Sequence, residues 1–298
     1  MNKKLLMAVF VLLVSTNANY AQQIFKISQF TQHNFLFNPA AAGANSEASI
    51  GATYRKMWSG MPGGPQTTLL YGDKYFSKMK AGLGVVLYAD KTGPTSRTGG
   101  QINLSYSVEM PNAARLMFGV AGNVLQYRID KESFAHYIPN DPLLSSSGNE
   151  IKGDAAAGIY YSSPTLNLGA SVQQLVQAKL NFVKSSTNPD GRLYRHYYFM
   201  GSYNWRTDES NVLIPNFMVK YLPNAPVDFE AGARLEHKDL IWVGFNWHYK
   251  QNYTAFAGIK AGQQLAIGYA LDVYKTPLSN FDNGGLAHEF TLRFFFKK

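Results

Sequence analysis

The chain of 298 residues contains no cysteine. That excludes a disulfide framework and a thiolate metal site. It is also short of charge. Asp, Glu, Lys and Arg make up 16% of it, against the roughly 25% with which soluble domains coat their surfaces. After Val14 no apolar run approaches the roughly 18 residues that a membrane-spanning helix requires, so helical spans are excluded. Catalytic signatures are missing as well. There is no H-E-x-x-H, no G-x-S-x-G and no phosphate-binding G-x-x-x-x-G-K-S/T, and the six histidines are scattered. No cofactor or metal is expected, and no enzymatic activity. The stretch "DKESFAHYIPND" is oxygen-rich but lacks the ligand spacing of a Ca²⁺ loop, and reads as a solvated surface loop.

What is present is aromatic and alternating. The chain holds 19 Tyr, 19 Phe and 4 Trp. It opens with "MNKKLLMAVFVLLVSTNANYAQQ", in which Lys3 and Lys4 precede the apolar run Leu5 to Val14 and small residues follow. This is the pattern of a secretory signal peptide, residues 1–21, cleaved after Ala21. With Lys3 and Lys4 removed, 26 basic residues stand against 19 acidic ones, a net charge of +7. Outside the cytoplasm such a charge suits acidic protein, glycan or lipid phosphate partners rather than nucleic acid.

The remainder repeats with period two. In "LAIGYALDVY" Leu265, Ile267, Tyr269, Leu271 and Val273 share a face. Ala266, Gly268, Ala270 and Asp272 share the other. In "HEFTLRFFFKK" Phe290, Leu292, Phe294 and Phe296 alternate with Glu289, Thr291 and Arg293. About fourteen strands of roughly 8–12 residues follow from this pattern, the length a tilted strand needs to cross a bilayer. They centre near residues 53, 70, 84, 104, 121, 157, 170, 200, 217, 231, 245, 257, 269 and 292. Alternate links are short, such as "PNAA", "SSPT", "RTDESN" and "HKD". The others include "DKTGPTS", "RIDKESFAHYIPNDPLLSSSGNEIK", "LVQAKLNFVKSSTNPDGRLYR" and "KTPLSNFDNGGL". Short turns at one end and long loops at the other predict an all-β, transmembrane outer-membrane barrel over residues 47–298, its short turns facing the periplasm.

Tyr54, Trp58, Tyr88, Tyr127, Tyr161, Tyr197, Trp205, Tyr221, Tyr249, Tyr253 and Tyr274 fall near strand ends, where amphipathic rings meet lipid headgroups. The last strand is expected to pair with the first, because an open edge in hydrocarbon strands its peptide groups. Asp228, Glu230, Arg234 and Glu236 share one face of strand ten. With Lys260, Glu289 and Arg293 they form an expected charge lattice inside the barrel, where charges must be paired or wet. Gly51, Gly82, Gly84, Gly119, Gly158, Gly169, Gly232, Gly258 and Gly268 also face inward. A wide pore, the close approach of a plug, or tight barrel curvature accounts for them. The segment "QQIFKISQFTQHNFLFNPAAAGANS", residues 22–46, lacks alternation and is too apolar for a free tail. It is expected to plug the periplasmic mouth or the lumen.

Two stretches, "FTQHNFLFNPAAAGANS" and "YRKMWSGMPGGPQTTLLYGDKYF", resemble the PorP/SprF family of the Bacteroidetes type IX secretion system. The matching positions are Gln29 and Phe30, Asn38, Pro39 and Ala40, Ala42 and Gly43, Tyr54 and Arg55, Trp58, and Pro65 with Thr67. "GLGVVLYADKTGPTS" and the terminal strand resemble it too, although Lys297 and Lys298 depart from a strict terminal aromatic. The resemblance implies a component of the secretion and gliding machinery that helps export or anchor surface adhesins or filaments through their C-terminal domains. Its implied partners are those domains, a periplasmic ring with peptidoglycan-linked components, and outer-membrane lipid. A barrel that passes hydrophobic solutes, like the fatty-acid transporters with their N-terminal Asn-Pro-Ala hatch, is the rival expectation.

Overall fold

The computed structural model describes residues 24–45, 47–130, 148–180, 191–223, 225–262, 264–275 and 285–296. The expected signal peptide, "DKESFAHYIPND" after Asp130, residues 131–147 of the second loop, 181–190 of the third and 276–284 of "KTPLSNFDNGGL" lie outside these residues.

Fourteen long antiparallel strands close into one barrel. They are β1 (Ala48–Lys56), β2 (Gln66–Phe76), β3 (Ala81–Thr92), β4 (Thr95–Met110), β5 (Ala114–Ile129), β6 (Asn149–Ser162), β7 (Leu166–Gln173), β8 (His196–Tyr203), β9 (Asn211–Tyr221), β10 (Asp228–His237), β11 (Ile241–His248), β12 (Asn252–Ala261), β13 (Leu265–Tyr274) and β14 (Leu286–Phe296). Each pairs with its neighbours in sequence. β1 meets β14 in register from Ala48 opposite Phe296 to Lys56 opposite His288. Every strand thereby has a partner on both sides, and the sheet has no free edge strand, as hydrocarbon demands. A ribbon of Lys179–Leu180 with Gly191–Arg192 sits outside the barrel sheet, in the β7–β8 connection.

Alternation sorts the side chains as expected. Phe290, Leu292 and Phe296 are 56%, 51% and 45% exposed, while Glu289, Thr291 and Arg293 are buried. Phe118, Val120 and Val124 on β5, and Ile267 and Val273 on β13, also face outward. At the short-turn end Asp208 anchors the β8–β9 turn. Its carboxylate accepts hydrogen bonds from the Asn211 side chain at 2.7 Å and the Ser210 N–H at 2.7 Å, which hold it below its ordinary range.

Three expectations are corrected. "DKTGPTS" is not a long loop, because β3 and β4 run on to pair Thr92 with Thr95, leaving a two-residue turn at Gly93 and Pro94. β4 and β5 reach 16 residues each, longer than a membrane crossing needs. Tyr88 and Tyr274 are not headgroup anchors. Tyr88 points inward onto Phe25, with ring centroids 5.2 Å apart, and Tyr274 is buried against Arg55.

Candidate functional site: the filled lumen

Residues 24–45 lie inside the barrel. Lys26 donates to Asn252 Oδ1 at 2.6 Å, beside the β11–β12 link at the long-loop end. Glu47 precedes β1 at the short-turn end. Between these points the segment makes a 3₁₀ turn at Phe30–Gln32, one helical turn at Asn34–Phe37 and a second 3₁₀ turn at Pro39–Ala41. Ile27, Phe30, Phe35, Leu36, Phe37, Ala40 and Ala42 are buried against the wall. The apolar character that argues against a free tail is therefore satisfied by the barrel's own interior.

The Asn38-Pro39-Ala40 triplet is the pivot. Asn38 Oδ1 accepts from the Ala40 N–H at 3.0 Å, capping the turn that Pro39 begins. Its Nδ2 donates to the Ile159 carbonyl at 2.9 Å and the Ala170 carbonyl at 3.3 Å, tying the turn to β6 and β7. Gly43 adopts φ +71°, open to glycine at little cost, and its N–H donates to Asp73 at 3.1 Å.

The inward glycines divide by what approaches them. A methyl group on Gly82 would strike the Ala42 carbonyl, on Gly119 the backbone of Ala40, and on Gly158 the Asn38 amide. On Gly169 it would sit 2.8 Å from Asn38 Nδ2, and on Gly84 3.0 Å from Phe35. These five admit the segment. Gly51, Gly232 and Gly258 instead make room for wall residues, respectively Tyr71, Asn246 and Trp242.

Two buried charge clusters bridge the closing seam between β1 and β14. In the first, Arg55 of β1 forms ion pairs with Asp272 of β13 and, at 3.3 Å, with Glu289 of β14. It also donates to Tyr274 at 3.0 Å and to Ser28 Oγ. The N–H groups of Ser28 and Gln29 donate to the Glu289 carboxylate at 2.7 and 3.2 Å. In the second, Arg293 of β14 pairs with Asp73 of β2 at 3.2 Å. It also donates to Ser49 of β1 at 3.0 Å and to the Gln32 carbonyl at 2.6 Å. The Thr53 and Thr291 hydroxyls meet at 3.1 Å between the clusters. The same charges thus clasp the first strand to the last and hold the N-terminal segment.

The other expected residues are placed apart. Asp228 pairs with Lys220 at 3.0 Å and with His248. Glu230 accepts from Asn246 at 2.8 Å. Arg234 pairs with Glu236 at 2.7 Å, and Lys260 with Asp239 at 2.9 Å. Arg234, Glu236, Lys260 and Arg293 line a polar vestibule of about 420 Å³ at the short-turn end. Tyr54 faces lipid, 43% exposed, and Trp58 lies in the β1–β2 link with φ +48°. Sequence reasoning passed over Lys26, Ser28, Asp73 and His248 as partners. Asp272 carried a signal, as the one acid on an otherwise apolar strand.

A closed barrel with an apolar outer band and an occupied interior that is apolar around the segment and charged along the seam is an outer-membrane protein. Similar solved structures are such barrels, at identities that show the fold alone. The CymD monoaromatic hydrocarbon channel has a TM-score of 0.54 at 10% identity, covering 93% of this chain and 95% of that one. The Acinetobacter baumannii protein Omp33 has 0.51 at 8%, covering 84% and 98%. The TodX deltaS2S3 mutant monoaromatic hydrocarbon channel has 0.50 at 9%, covering 88% and 92%. No curated protein matches the chain in sequence. The family described as "Type IX secretion system membrane protein PorP/SprF" matches residues 19–294. The chain belongs to that family and is a membrane component of type IX secretion.

Proposed function

We propose that this barrel is a non-enzymatic component of the secretion and gliding machinery that works through its two ends rather than as a pore. The long-loop end binds the C-terminal domains of exported adhesins and holds them at the cell surface. The short-turn end, with its charged vestibule, docks the periplasmic ring or a peptidoglycan-linked component. Residues 1–21 direct export and are removed. Residues 22–46 serve as the plug, and 47–298 as the barrel.

The observation that carries this reading is the occupied lumen. Two spaces left between the segment and the wall towards the long-loop end measure about 50 and 40 Å³. An apolar cavity of about 150 Å³ is the size that holds benzene. Passage of an aromatic solute would require the segment to move, although the hydrocarbon-channel likeness keeps that rival in view.

The test is capture. Deleting most of residues 178–192 should leave a heat-modifiable barrel in the outer membrane and abolish surface retention of its client. Mass spectrometry of proteins co-purified from detergent-solubilised outer membranes should show an adhesin C-terminal domain with the intact chain and lose it with the deletion. Unchanged client display would refute the loop assignment.

A further inference from the structure

The outer wall beside the seam carries a hollow of about 900 Å³. Its floor is made by small outward residues, Ala52 of β1 and Gly72 of β2. Its sides are Val85 and Leu87 of β3 and, across the seam, Leu265 of β13 and Phe294 of β14. Leu87 is 53% exposed. This face looks onto lipid, and the hollow lies in the half of the barrel nearer the short turns.

The charges at the hollow are unevenly placed. Asp73 and Arg293 contribute to the lining, but their side chains turn inward and pair with each other. The outward charge is Lys74, at the foot, with its ammonium 5.2 Å over the Phe76 ring. Lys78 stands exposed in the adjoining turn, at the short-turn end, the end expected to face the periplasmic leaflet.

We infer that the hollow is a binding site for one phospholipid of that leaflet, its acyl chains filling the hollow and its phosphate resting on Lys74 and Lys78. Flexible chains can fill a concave surface that a second, convex barrel wall would leave empty. A bare apolar partner would leave both ammonium groups without a counter-charge. Basic side chains at the membrane boundary bind lipid phosphate in this way. The small floor residues matter because a side chain there would occupy the space that the acyl chains need.

The test uses the full chain purified from outer membranes in mild detergent and washed extensively. Native mass spectrometry and quantitative lipid extraction then read what stays bound. The intact chain should retain about one phospholipid per barrel. Ala52→Phe, which fills the floor from the lipid side, should lower retention at least ~5-fold with heat-modifiability unchanged. Lys74→Glu, which leaves the hollow intact, should lower it as well. Equal retention by the intact chain and both variants would overturn the site. So would a retained species that proves to be a lipopeptide or a second copy of the barrel.

Discussion

Arg55 bonds to four buried side chains of the interior, Ser28, Asp272, Tyr274 and Glu289. It is 1% exposed and faces two carboxylates. Removing one partner of a buried ion pair costs about 3–5 kcal/mol, because the remaining charges are stranded. Arg55→Met should therefore lower the unfolding free energy by about that much, read as an earlier midpoint of urea unfolding followed by heat-modifiability. Adding Asp272→Leu and Glu289→Met should recover part of the loss. An unshifted midpoint in the single variant would mean that the cluster is solvated. Gly119 offers a second test. Gly119→Leu places a side chain where Ala40 sits, so the segment must leave its seat. Lys26, half-buried in the intact barrel, should then become a trypsin site in the folded protein. Continued protection would show that the segment does not depend on this approach. Sequence reading reached these residues unevenly. Arg55 and Asn38 stood out through a family resemblance, but nothing in their spacing showed that they share one lumen. The inward glycines were visible, yet an absent side chain cannot say what comes close. Tyr88 and Tyr274 were misplaced because position near a strand end was weighed above parity. Tyr274 lies two residues from the inward Asp272 and must share its face.

Among elements, the seam between β1 and β14 carries the fold. Direct cross-strand neighbours stand about 4.5–5.5 Å apart at Cβ, and Ala52 lies opposite Leu292 on the outer face. Since the chain has no cysteine, Ala52→Cys with Leu292→Cys should form a single disulfide on mild oxidation. It should leave the barrel form resistant to heat on gels until reduced. Ala52→Cys with Thr291→Cys, on opposite faces, should not. Equal crosslinking would contradict the register. The strands were legible because lipid on one side and a polar lumen on the other enforce period two along all fourteen. The β3–β4 turn was not. Once a hairpin rises above the membrane, both of its faces are wet, and "DKTGPTS" reads like a loop even while it is paired.

For the whole molecule, the chain that closes the wall also fills the space within it. The N-terminal segment passes from Lys26 near the long loops to Glu47 near the short turns, seated on the glycine-lined wall and bonded across the seam. Such a molecule leaves little room for diffusion between its two ends, where the proposed function places its partners. Conductance in planar bilayers tests this most directly. The account predicts that the intact chain is electrically silent or nearly so, and that deleting residues 24–45 yields a steady open channel. A large steady conductance from the intact chain would contradict it.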